Sequence, residues 1–202
     1  MELDDYLRSV GFNILYLEGH SGQLDLQKYD LARLVNRPGI KNVMEIGFNA
    51  GHSADTFLKS NPDINLVSFD LGYHKYLPYA KKFIDEKYPG RHKLILGNSL
   101  ETLPKFVASG DKILFDLIFI DGGHDYDVPK SDMAYSLQLC HPETIIIMDD
   151  YILDKRNVLD FNHGPNKAWN EKINDETIIE LGCSQYGVRN DRGMVWGKLM
   201  PK

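Results

Sequence analysis

The side chains able to do chemistry are concentrated behind two short apolar runs. Leu117 to Ile120 leads into Asp121-Gly-Gly-His124-Asp125-Tyr-Asp127, and Thr144 to Met148 leads into Asp149-Asp150-Tyr151. If those runs are neighbouring buried strands, Asp121, Asp149 and Asp150 share a cleft, where like charges repel unless a proton or cation sits among them. An all-oxygen set suits a hard divalent ion such as Mg2+, which keeps several waters or substrate oxygens. His124 adds an imidazole that titrates near neutral pH and can take a proton from a hydroxyl. Its alternative role is to orient Asp121 or Asp149. Asp125 and Asp127 read as solvated or helix-capping acids.

A second cluster follows an earlier strand, in Glu45-Ile-Gly47-Phe-Asn49-Ala-Gly51-His-Ser53. Glycines at this spacing let the backbone turn sharply and approach a ligand. Glu45 needs a partner if it is buried. The spacing is G-x-x-x-G, not the G-x-G-x-x-G of dinucleotide binding. Nor does Gly51-His-Ser53-Ala-Asp55 complete the G-x-S-x-G nucleophile elbow, which speaks against a serine hydrolase. The next strand ends in Asp70, a carboxylate able to accept both hydroxyls of a ribose.

The elements that must position these groups alternate along the chain. Strands are predicted at Asn42–Ile46, Asn65–Phe69, His92–Leu96, Phe115–Ile120 and Thr144–Met148, with two last candidates at Thr177–Cys183 and Gly193–Leu199. Between them run helix-period segments. Leu24, Leu31, Leu34 and Val35 face one way; Tyr76 to Tyr88 form another stripe. Ser99 is the expected cap of a helix carrying Leu103, Phe106 and Val107, and Asp127 of one carrying Met133, Leu137 and Cys140. A short helix is expected at Pro165–Ile173. Five β-α units in a row predict a Rossmann-like, doubly wound α/β fold, with a mostly parallel seven-stranded sheet and helices on both faces. Ligands of such sheets sit beyond the carboxyl ends of the strands, where strand order reverses. The 202 residues suit one domain: an N-terminal helical segment, 1–39, and a core, 40–202.

The E-x-G-x-x-x-G stretch, the acid at 70 and Gly97-Asn98-Ser99 resemble, in order and spacing, the class I methyltransferases that use S-adenosylmethionine. The resemblance implies that Gly47, Asn49, Gly51 and Ser53 lie along the methionine portion of the cofactor, with Glu45 and Asp121 joining the cofactor set. Asp70 would hold the ribose, and Asn98 and Ser99 would meet the adenine. D-G-x-H-x-Y and D-D-Y are similar to stretches of the metal-dependent enzymes related to catechol O-methyltransferase. They are closer still to macrocin-type and other sugar and small-molecule O-methyltransferases. That likeness, over roughly residues 41 to 199, implies Asp121, Asp149 and Asp150 as metal ligands. His124 stands where the catechol enzymes carry a catalytic lysine. The activity implied is Mg2+-dependent O-methylation of one of two adjacent hydroxyls on a small molecule or sugar, with Asp121 and His124 as the catalytic pair.

Composition narrows the partners. Hydrophobic residues make up 43% and charged ones 26% of the chain, globular values, and the formal charge of −6 offers no basic footprint for nucleic acid. No apolar run is long enough to cross a bilayer, the first residues are acidic, and Cys140 and Cys183 form no metal motif. A cytoplasmic protein is expected, with a small hydroxyl-bearing acceptor; it could pair with a second copy as a homodimer. The rivals are a metal-independent or nitrogen-directed methyltransferase, a nicotinamide-dependent oxidoreductase and a non-catalytic cofactor binder. Trp169 and Trp196 read as core or rim residues, although Trp169 and His163 could reach the site. The other histidines (20, 52, 74, 92, 141) read as surface or capping residues.

Overall fold

The computed structural model describes residues 1–18, 24–110, 113–154, 159–186 and 191–200. Seven strands form one sheet: β1 (Asn42–Ile46), β2 (Asn65–Asp70), β3 (His92–Leu96), β4 (Phe115–Ile120), β5 (Cys140–Asp149), β6 (Ile178–Tyr186) and β7 (Arg192–Leu199). Their order is β3-β2-β1-β4-β5-β7-β6. The first five strands pair in parallel; β7 runs antiparallel between β5 and β6. The order reverses between β1 and β4, which opens a crevice beyond their carboxyl ends.

Alternation along the central strands divides the core in two. Leu117 and Phe119 of β4 and Ile145 and Ile147 of β5 face α1 (Leu3–Ser9), α2 (Asp25–Val35), α3 (His52–Ser60) and α4 (Leu77–Lys87). Ile118, Ile120, Ile146 and Met148 face α5 (Ser99–Ala108), α6 (Asp127–Ser136) and α7 (His163–Asn174). Apolar residues at every position are what a strand covered on both faces requires. Each fully buried leucine or phenylalanine removed from water contributes about 1.5–3 kcal/mol, so two such layers hold the strand tips in register.

Several expectations shift. Helix α1 lies within the expected helical segment 1–39 but was not placed as a separate element; it is only two turns long, anchored by buried Leu3 and Leu7. Asn98 caps α5 by accepting from the Leu100 amide, so Ser99 is the first helical residue rather than the cap. Asp127 likewise lies inside α6, whose start carries no side-chain cap. Cys140 is not on α6. Turn bonds at Leu137, Gln138 and Leu139 end that helix, and Cys140 opens β5 opposite Phe115. Among the described residues, no helix is long and apolar enough to cross a membrane.

Candidate active site

The tips of β1 and β4 touch through backbone. The Gly47 amide donates to the Phe69 carbonyl, and the Asp121 amide donates to the Ile46 carbonyl. Gly47 has φ +102°, and a Cβ there would overlap the Asp121 carbonyl oxygen. Only glycine permits that contact. Asn49 also has positive φ, which asparagine tolerates better than most residues. Its amide donates to Asp70 Oδ2 (2.8 Å), while the Gly72 amide donates to Oδ1 (2.7 Å). Tyr76 Oη donates to Asn49 Oδ1 (2.6 Å), so α4 braces the loop. Each Asp70 oxygen keeps a lone pair free for a further donor.

Beyond these tips lies a cavity of about 720 Å3, the size expected of a small-molecule site. Gly47, Asn49 and Asp70 line one flank, Asn98 and Ser99 the next, and Asp121, His124, Asp149 and Asp150 the far wall. Three residues of the expected cofactor set do not line it. Glu45 is fully buried beneath the loop, accepting from the Ser53 and Ser68 hydroxyls. Ser53 is therefore turned inward. Gly51 serves the turn: its φ is +81°, and a Cβ would meet the Phe48 ring. These residues shape the loop from behind.

The same network corrects the reading of His92 and His52 as surface or capping residues. His92 stacks on Phe48 with centroids 5.1 Å apart and contacts Ser68 Oγ through Nε2 at 2.9 Å. His52 is packed inward against Asp4 of α1. His74 pairs with Glu18, His141 contacts Asp116 and caps a turn at Glu143, and His20 lies outside the described residues. Burial pushes Glu45 up to about 7 and His92 down to about 4. Their effects on stability oppose one another. The unfolded chain takes up a proton at His92 first, so the stability present above pH 6.5 drains as pH falls toward 4. At Glu45 the folded chain takes up the proton first, so the cost of burying its charge is relieved as pH falls from about 7 to 4.5. A His92→Gln variant should lose the first effect alone. Between pH 7 and 4.5 its stability, read from urea melts, should gain about 2–3 kcal/mol on the wild type. Parallel curves would show that His92 is not the acid-sensitive group.

On the far wall, Asp150 sits at φ +56°, held by Asn162 Nδ2, which donates to its carbonyl (2.9 Å). Its Oδ2 meets His124 Nε2 at 2.9 Å, and its Oδ1 lies 3.6 Å from Arg192 Nη1. Gln27 of α2 donates to Asp149 Oδ2 (2.7 Å). Asp121 is left facing the other carboxylates. Burial first, then the charges of Asp149, Asp150 and Glu45, hold its pKa well above the usual carboxylate range. Burial and Asp150 push Asp149 to about 7. The hydrogen bond to Asp150 outweighs burial at His124 and raises its pKa.

Among the described residues, no group of three or more His, Cys, Asp or Glu side chains is arranged to hold a metal. Of the expected three acids, Asp150 is engaged by the His124 imidazole and lies near the Arg192 guanidinium. Asp121 and Asp149 remain, an all-oxygen pair raised by burial and neighbouring carboxylates, and a hard cation can use two carboxylates with waters.

The sequence reading missed Gln27, Phe161 and Arg192 in the wall. Gln27 left a signal, as a polar residue set between Leu24 and Leu31 on an apolar helical stripe. Arg192 left none. The segment after β5 contributes Phe161, whose ring lies 5.7 Å from that of His124 and 5.9 Å from the Arg192 guanidinium. Trp169 is core instead, donating to Glu180, and His163 is exposed outside the cavity.

Comparison with known proteins agrees with this architecture. Residues 44–151 match the family model described as a methyltransferase domain. A curated relative, the O-methyltransferase imqG of Aspergillus flavus, is 29% identical over 118 residues, 56% of this chain and 47% of its own. The chain thus spans about half the length of that relative. The O-methyltransferase of Bacillus cereus in complex with SAH superposes with TM-score 0.75 at 18% identity, over 98% of this chain and 89% of that one. The O-methyltransferase TomG of Streptomyces achromogenes, involved in tomaymycin synthesis and solved with SAM, gives 0.70 at 17% identity, over 99% of both. At these identities the structures speak for the fold. With the family match covering more than half of its residues, the chain belongs to the methyltransferase-domain family.

Proposed function

We propose that the protein transfers a methyl group from S-adenosylmethionine to a hydroxyl of a small molecule. One observation carries the reading: a single cavity joins the Asp70 lip to the His124–Asp150 pair. When bound, S-adenosylmethionine supplies a methyl group already activated on a sulfonium. Asp70 would accept the ribose hydroxyls, Asn98 and Ser99 would flank the adenine, and the Gly47 loop would pass beside the methionine portion. With Asp150 engaging Nε2, the other nitrogen of His124 is left to take the acceptor's hydroxyl proton. Asp150 stabilises the imidazolium that results. The deprotonated acceptor oxygen would then be the nucleophile for the methyl group that the bound cofactor would supply, and the wall's main contribution would be to align acceptor and donor. No covalent intermediate with the protein is needed.

Asp121 and Asp149 are the residues that would hold a divalent cation, which when bound lowers the pKa of a coordinated hydroxyl. Two adjacent hydroxyls suit this wall, since one could meet the acid pair while the other meets His124. A vicinal diol, on a sugar or a catechol, is therefore the acceptor class we propose. The test is transfer from labelled S-adenosylmethionine to a diol panel, with calorimetric titration of S-adenosylhomocysteine in parallel. Transfer to at least one diol should fall in chelator, return with Mg2+, and fall in Asp149→Asn. Full transfer in chelator would remove the metal and leave His124 with Arg192 as the working groups. Absence of S-adenosylhomocysteine binding would overturn the whole reading.

A further inference from the structure

Asparagine side chains hold the connection that leaves β5. Asp150 sits at φ +56°, a left-handed conformation that a residue other than glycine keeps only where its surroundings fix it. Its carbonyl is taken by Asn162, which is fully buried on the turn Asp160–Asn162 that runs into α7. Asn162 Nδ2 donates to the Asp150 carbonyl (2.9 Å), and Asn162 Oδ1 accepts from the Leu159 amide (3.1 Å). One helical turn further on, Asn166 grips Ile152 in the same fashion. It accepts from the Ile152 amide (2.8 Å) and donates to the Ile152 carbonyl (3.2 Å).

The same turn reaches the imidazole that Asp150 engages. The Phe161 ring lies 5.7 Å from the His124 ring. A Cβ on Gly164, at the start of α7, would come within 1.9 Å of the His124 carbonyl oxygen, so helix and loop meet backbone to backbone. Positions 161 to 164 therefore contact both ends of the 2.9 Å approach between His124 Nε2 and Asp150 Oδ2, two residues 26 positions apart in the chain. We propose that this turn is the seat of the His124–Asp150 pair, with Asn162 as the positioning residue that aims the Asp150 carboxylate at the imidazole. Without the Asn162 donor, the Asp150 carbonyl loses its partner and the backbone can leave the left-handed region, which swings the carboxylate off Nε2. The consequence for methyl transfer rests on the reading of His124 as the base; the geometry of the seat does not.

The experiment compares the full chain with Asn162→Ala and Asn166→Ala. Each variant deletes one donor and one acceptor on the same connection, so a purely structural role predicts equal effects. Nitrogen NMR spectra of histidine-labelled protein, with His124 assigned from His124→Ala, read the ring above the pH at which it becomes neutral. Wild type and Asn166→Ala should show one ring form, with the proton on Nε2; Asn162→Ala should show both forms. Transfer to the diol that wild type methylates best should slow about 10–100-fold in Asn162→Ala, with KM within about 3-fold, and should stay within about 3-fold of wild type in Asn166→Ala. Added to His124→Ala, Asn162→Ala should cost no more than about 3-fold further, because its effect passes through the ring. Phe161→Ala, at a half-buried position, should also release the ring into both forms and keeps the test open if Asn162→Ala does not fold. A single ring form in the variants of the turn, or equal rate losses in the two asparagine variants, overturns the seat alone. Full transfer in His124→Ala overturns the base reading and leaves the ring spectra to judge the seat.

Discussion

A His124→Ala variant should bind S-adenosylhomocysteine within about 3-fold of wild type while transferring methyl groups about 10²–10⁴ times more slowly, the usual worth of a positioned base. The separation follows from where the ring sits. Its Nε2 is committed to Asp150, 2.9 Å away, and its side chain is 41% exposed. It lies across the cavity from Asp70 and Asn49, which would carry the cofactor's affinity. Removing the imidazole opens space on the acceptor side and takes nothing from the opposite lip. Single-turnover measurements under saturating S-adenosylmethionine would isolate the chemical step from product release. A rate within a few-fold of wild type would show that another group takes the proton, with Asp121 the next candidate because its pKa is raised.

Gly47→Ala should do the reverse. An L-residue at φ +102° costs about 1–3 kcal/mol in backbone strain alone. The added carbon also overlaps the Asp121 carbonyl oxygen, so the tips of β1 and β4 must part. Flexible side chains could yield to a new methyl group, but here the obstacle is backbone tied by the Asp121 amide to Ile46. Stability should fall by about 2–4 kcal/mol, and S-adenosylhomocysteine affinity by at least about 30-fold, the equivalent of about 2 kcal/mol. Denaturant melts and calorimetry on the same sample would check both. Near-normal affinity in a destabilised variant would mean that the crevice closes without this contact and that the cofactor does not depend on it.

Much of this arrangement could be read from the chain. Short runs apolar on both faces, such as Leu117–Ile120, are what covered strands require, and the glycine, asparagine and acid types at 47, 49 and 70 match a turn that approaches a ligand. Boundaries were less legible where competing local bonds were involved. Asn98 and Ser99 are both good caps, and the choice fell on Asn98, whose side chain accepts from the Leu100 amide. Glu45 was rightly singled out as an acid needing partners, but its direction followed from strand parity. In β1 the residues facing the α5–α7 layer are Met44 and Ile46, so Glu45 must point the other way, toward Ser53 and Ser68.

The chain's own pattern determined the alternation of strands and helices, the crevice at the β1–β4 reversal and the acids that border it, because periodicity and burial are local properties of residue type. Tertiary structure alone decided which acids keep free oxygens. Gln27 reaches Asp149 across 122 positions, and Arg192 reaches Asp150 from β7, a strand inserted against the chain order between β5 and β6. A carboxylate's partner, and so its charge and its chemistry, depends on distances between segments far apart in sequence, and those distances exist only once the sheet is assembled.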